Sequence, residues 1–97
     1  MFQTAFSPEA LEDLHWFRKY DQKRILQEIE TQLLHQPEEE TRNRKRLRPN
    51  VLAEWELRIG FFRVFYEVDA ANAMVKIAAV GNKEGNKLLI RGEEREL

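Results

Sequence analysis

Chemistry in this chain has few places to reside, and the strongest is residues 53–68, AEWELRIGFFRVFYEV. Strict alternation sorts its side chains onto two faces. Trp55, Leu57 and Ile59 fall on one side and Glu54, Glu56 and Arg58 on the other, so one face of this strand packs and the other is free for chemistry. Past a turn at Ile59-Gly60, Phe62, Val64, Tyr66 and Val68 alternate with Phe61, Arg63, Phe65 and Glu67. Arg63 thus stands between two aromatics on a strand apolar enough to be central. An unpaired guanidinium is rarely left against a sheet core, so Arg63 either pairs with a nearby carboxylate or points at a ligand. A second cationic group is Arg42, Arg44, Lys45, Arg46 and Arg48, five cations in seven positions, a density that suits phosphate contacts. Glu38, Glu39 and Glu40 precede it and can neutralise part of it. A third is the stretch 81–87, GNKEGNK, expected to be a turn in which backbone amides and Lys83 or Lys87 meet an anion. It lacks the Gly, Lys and Ser/Thr spacing of a P-loop, and Gly and Asn make turns without any ligand.

Composition removes other chemistries. With no cysteine there is neither a disulfide scaffold nor a thiolate metal site, and His15 and His35 stand alone in sequence, so no metal and no cofactor is implied. No apolar run approaches the length of a membrane span, and the N-terminus lacks the pattern of a signal peptide, which makes the cytoplasm the expected compartment. The net charge is -1, but residues 1–41 carry nine acidic and four basic side chains while residues 42–97 carry eight and twelve. A polyanion would meet the second half; equally, the asymmetry would complement a protein partner.

The elements that must position these residues follow in chain order. Phe2, Thr4 and Phe6 alternate with polar or small neighbours in a short strand ended by Ser7-Pro8. Ser7 then caps a helix with Pro8 at its first position, Glu9 in its first turn and an apolar stripe of Ala10, Leu14 and Phe17. Trp16 and Tyr20 lie at the edge of that stripe. A turn around Tyr20-Asp21 leads to a second helix, capped by Asp21, that carries Ile25, Ile29 and Leu33 and ends before Pro37. Residues 38–50 read as a surface loop. The hairpin of residues 53–68 and a strand over 74–80 form an antiparallel meander, and residues 88–91 add a short edge strand. The whole is expected to be one α+β domain over residues 1–97, ordered β-α-α-β-β-β, with a helix hairpin packed on a small, mainly antiparallel sheet.

This order, with the run from Arg46 to Lys83, resembles the toxins of the RelE/ParE superfamily of type II toxin–antitoxin systems. The likeness lies in RLRP, then EWELRIGFFRVFYEV with its Leu-Arg pair, glycine turn and Arg-Val-x-Tyr strand, then AAVGNK; SPEALEDL is similar to the family's first helix. The resemblance implies a cognate antitoxin as partner and a toxin that is a monomer or dimer when free. For the ribosome-dependent RNases of the family it implies metal-independent cleavage of mRNA, by attack of a 2′-hydroxyl on the adjacent phosphate. Arg63 and Lys83 would then stabilise the phosphorane charge, with Glu54 or Glu56 as base and Arg42, Arg44, Lys45, Arg46, Arg48, Arg58 and Lys87 on the RNA. The chain departs from the RNase pattern at Glu54 and Glu56, where lysines are usual, and at Leu89, near the place of a Tyr or His. A second implication therefore stands beside the first: a ParE-like toxin that cuts nothing and acts by binding a protein such as gyrase.

Overall fold

The computed structural model describes residues 1–97. Its elements run β1 (Gln3–Phe6), α1 (Pro8–Trp16), α2 (Lys19–Leu33), β2 (Arg44–Arg46), β3 (Trp55–Ile59), β4 (Phe62–Asp69), a 3₁₀ turn (Ala70–Asn72), β5 (Met74–Glu84), β6 (Lys87–Ile90) and β7 (Glu93–Arg95). Six strands lie side by side in sequence order from β2 to β7, each antiparallel to the next, while β1 pairs parallel with the first half of β5. The α+β class, the helix pair and the mainly antiparallel sheet are as expected.

Helix α1 begins where the sequence places it. The Ser7 hydroxyl accepts the Ala10 N–H at 3.0 Å, with Pro8 and Glu9 in the first turn. Helix α2 begins two residues before the expected Asp21 cap. Phe17 is buried and ends α1, so the chain must reverse at Phe17-Arg18 rather than at Tyr20-Asp21. The Gln22 side chain secures that corner by donating to the Phe17 carbonyl at 2.8 Å. Asp21 falls in the first turn, 3.4 Å from Arg18, where its charge still complements the helix dipole. Ala10, Leu14, Ile25, Ile29 and Leu33 then meet Trp55, Leu57, Val64, Tyr66, Val75 and Ile77 in the main core. Tyr66 stacks on Trp55, and its hydroxyl donates to the carbonyl of Pro37 at 2.8 Å, which pins the chain leaving α2; burial pushes its phenol well above the ordinary value.

Three segments differ from expectation. The basic stretch is not wholly loop, because Arg44–Arg46 pairs with Trp55–Leu57 as an edge strand. The third meander strand does not stop at Val80. Gly81, Asn82, Lys83 and Glu84 continue it, and the turn is confined to Gly85-Asn86, between paired Glu84 and Lys87. Gly81 is needed there for closeness, since a Cβ would run into the Leu89 carbonyl oxygen. The charged tail also pairs, as β7.

Between β1 and β6 the outer edge of β5 is left without a strand, and α1 fills the gap. Ser7 donates to the Ala78 carbonyl, while Asp13 accepts the Val80 N–H at 3.1 Å. Asp13 is buried, and Arg91 at the end of β6 places its Nε 3.0 Å from the other carboxylate oxygen. Burial pushes the Asp13 carboxyl up; the Val80 N–H and Arg91 oppose it.

The sheet face away from the helices is not open at its centre. Phe65, Ala79, Leu88, Ile90 and Ala53 form a second small core, covered by Leu47 and Leu52. Asn50 shapes the covering loop, accepting from the N–H groups of Leu52 and Ala53 and donating to the carbonyls of Arg48 and Ala53. Phe65 lies on this face by strand alternation, and a fully buried aromatic needs a lid.

Candidate functional site

Charge remains beside that second core, toward the tip of the β3–β4 hairpin. Register decides which residues share the patch. Lys45 lies opposite Glu56, Arg58 opposite Arg63, and Arg63 opposite Gly81. Lys83, two residues beyond Gly81, is on the same face, with its N–H bonded to the Phe61 carbonyl at 2.8 Å. Lys45, Arg58, Arg63 and Lys83 therefore share one sheet face, with the Glu56 carboxylate between Arg58 and Arg63.

Glu56 is buried and engaged: Arg58 Nε reaches it at 2.9 Å and Arg63 Nε lies 3.9 Å away. Arg63 resolves the choice posed by its position mostly inward. Its side chain is only 14% exposed, and Nη1 donates to the carbonyls of Gly60 at 2.7 Å and Phe62 at 2.9 Å. Burial pulls its guanidinium below the ordinary value, with Glu56 opposing. Arg63 is thus a clamp on the hairpin turn and half of an ion pair. Arg58, about half exposed, and Lys83, which has no ion-pair partner, are the cations presented to solvent.

The other candidate residues are dispersed. Glu54 does not join Glu56, nor does it pair with Arg63; it lies before β3, exposed, 3.5 Å from Arg46. Arg46 also stacks over Trp55, with its guanidinium carbon 5.5 Å from the ring centroid. Arg44 turns inward and donates to the carbonyls of Gln32, His35 and Glu39, closing the C-terminal end of α2. A cation at a helix C-terminus satisfies orphan carbonyls and complements the dipole. Of the seven residues proposed for RNA, Lys45 and Arg58 reach the cluster, Arg44 and Arg46 are committed elsewhere, and Arg42, Arg48 and Lys87 are exposed. Lys87 shares a shallow polar depression with Lys83, Asn86, Glu94 and Arg95. Leu89 lies half-buried on β6 opposite Asn82.

Arg24 of α2 was not singled out by sequence, because a surface arginine on a helix carries no signal of its own. It packs against Gly60 and over the Phe62 ring, with its guanidinium carbon 5.8 Å from the centroid. The cluster can hold an anion. Its carboxylate, Glu56, is held on one oxygen by Arg58 at 2.9 Å, with Arg63 at 3.9 Å from the other.

Comparison with known proteins gives a consistent answer. Residues 5–86 match the family model described as the ParE toxin of type II toxin–antitoxin system, parDE. None of the curated proteins matches. Among solved structures, the toxin–antitoxin complex RelBE2 from Mycobacterium tuberculosis contains a chain similar to this one, with a TM-score of 0.68 and 23% identity over 84% of this chain and 98% of that one. The archaeal RelE-RelB complex from Pyrococcus horikoshii OT3 contains another, with a TM-score of 0.67 and 18% identity over 88% and 97%.

Proposed function

Since the chain belongs to the ParE toxin family of type II toxin–antitoxin systems, we propose that it is held by a cognate antitoxin and arrests growth by binding a protein target in the cytoplasm, not by cutting mRNA. The observation that carries this reading is the state of the candidate catalytic set. Glu56 is paired with Arg58, Arg63 is folded onto the hairpin carbonyls, and Glu54 is away at Arg46. Phosphoryl transfer by a 2′-hydroxyl needs a base within reach and cations aimed at the developing charge. Here the base is engaged and the central cation faces inward, while the middle of the sheet face is filled by apolar side chains. An antitoxin partner is supported by the similar solved structures, which are toxin–antitoxin complexes.

The RNase reading keeps one observation in its favour: Arg58, Arg63 and Lys83 do share a face beside Glu56. One experiment separates the two. Wild type and Arg63→Ala are induced in growing cells, mRNA cleavage on translating ribosomes is mapped by primer extension, and supercoiling by purified gyrase is assayed with and without the toxin. Growth arrest without cuts is expected, with gyrase inhibited if it is the target. Cuts made by the wild type and lost in Arg63→Ala would sink the binding reading.

A further inference from the structure

The tip of the β3–β4 hairpin carries an exposed aromatic on a rigid mount. Phe61 is 76% exposed, yet its carbonyl accepts the Lys83 N–H, and Arg63 grips the carbonyls of the residues on either side of it. Gly60 adopts φ +57°, which side chains disfavour, and Arg24 lies against it from α2. An aromatic on a fixed two-residue turn loses little freedom when a partner buries it, the property that makes interface anchors effective. On the sheet face of Arg63 the charge is one-sided, Arg58, Arg63 and Lys83 against Glu56, whose carboxylate is already paired, while Arg24 lies on the helix face over Phe62. Alternation turns Glu84 to the helix face.

We infer that this hairpin tip is the surface that grips the target, Phe61 entering an apolar pocket whose rim is acidic on a protein partner. The inference rests on the reading of the chain as a protein-binding toxin. Nucleic acid fits less well, because the cations ring one protruding side chain and do not continue into a track. Arg44 is taken up by α2 carbonyls, Arg46 by Glu54 and Trp55, and the face beyond Arg63 is apolar. A polynucleotide engages successive phosphates along a path of cations.

The test places a photoreactive benzophenone amino acid at position 61 of the full chain in growing cells, alone and combined with Lys83→Glu. Phe61→Ser and, as a control, Tyr20→Ser are scored for growth arrest, with thermal unfolding of each purified variant. The expected result is one protein adduct, mapped to a segment with acidic residues beside apolar ones and reduced at least tenfold by Lys83→Glu. Phe61→Ser should need tenfold or more inducer to arrest growth, with unfolding unchanged, while Tyr20→Ser behaves as wild type. An RNA adduct, an adduct with a second copy of this chain, no adduct, an adduct indifferent to Lys83→Glu, or undiminished arrest by Phe61→Ser would each overturn the inference. Absence of arrest by the wild type would instead defeat the toxin reading, and the adduct and its charge dependence would still decide whether the tip binds an acidic protein.

Discussion

Glu56 holds the cationic cluster together, and its removal should be felt as like-charge repulsion. Glu56→Gln leaves Arg58 directly opposite Arg63 with no anion between them, which should cost about 1.5–3 kcal/mol, a range typical of hydrogen bonds to charged groups. Urea unfolding at low and high salt checks this, and added salt should recover part of the loss. Asp13 yields a prediction with a definite sign in pH. Because burial raises its folded-state value above the ordinary 3.8, the stability it contributes is fully present below that value and is lost as pH rises through the raised one. Asp13→Asn keeps an acceptor for the Val80 N–H but cannot ionise. The wild type should therefore lose stability relative to Asp13→Asn as pH climbs from below 3.8 through the raised value, measured as paired urea midpoints. Little of this was legible in the sequence. Alternation does place Glu56, Arg58 and Arg63 on one face, but which carboxylate meets Arg63 depends on strand register, and Asp13 reads as one more helix carboxylate until the gap in the β5 edge is known.

At the scale of elements, the long β-strands and both helices were readable because their apolar periodicity is strong, and α1 because Ser7-Pro8-Glu9 is an unambiguous start. The edge strands were not, since β2 and β7 are built from charged residues with no apolar face to betray them. Arg44 illustrates the point: in sequence it is one of five cations, in the fold it closes a helix. Arg44→Ala should lower stability by about 1–2 kcal/mol through lost carbonyl partners, whereas Arg42→Ala and Arg48→Ala should stay within about 0.5 kcal/mol, compared by chemical unfolding. Tyr66→Phe should cost about 1–2 kcal/mol by leaving the Pro37 carbonyl without its donor, and proteolysis of residues 38–43 should quicken as that segment loosens.

Across the whole molecule, one sheet serves two cores, the larger under the helices and the smaller under the loop of residues 47–53. Strands β4 and β5 lie between the two, β4 paired along both edges and β5 closed on its outer edge by β1, α1 and β6, so their amides should exchange with solvent most slowly and those of β2 and β7 fastest, in hydrogen-exchange measurements under native conditions. The parallel pairing of β1 with β5 bears on synthesis. Gln3 lies beside Met74 and Phe6 beside Ile77, so the first strand made waits for the fifth of seven. Until residue 77 has left the ribosome, the apolar stripes of α1 and α2 have no complete sheet to cover them, and closure over so long a loop is slow. A half-made chain should be unable to present the mounted hairpin tip, because Lys83, which fixes Phe61, emerges later still. Nascent chains stalled before residue 77 are expected to remain open to protease, and those extended past residue 84 to become resistant. The cell would then be exposed to this protein only as finished molecules, and an antitoxin would have only finished molecules to intercept.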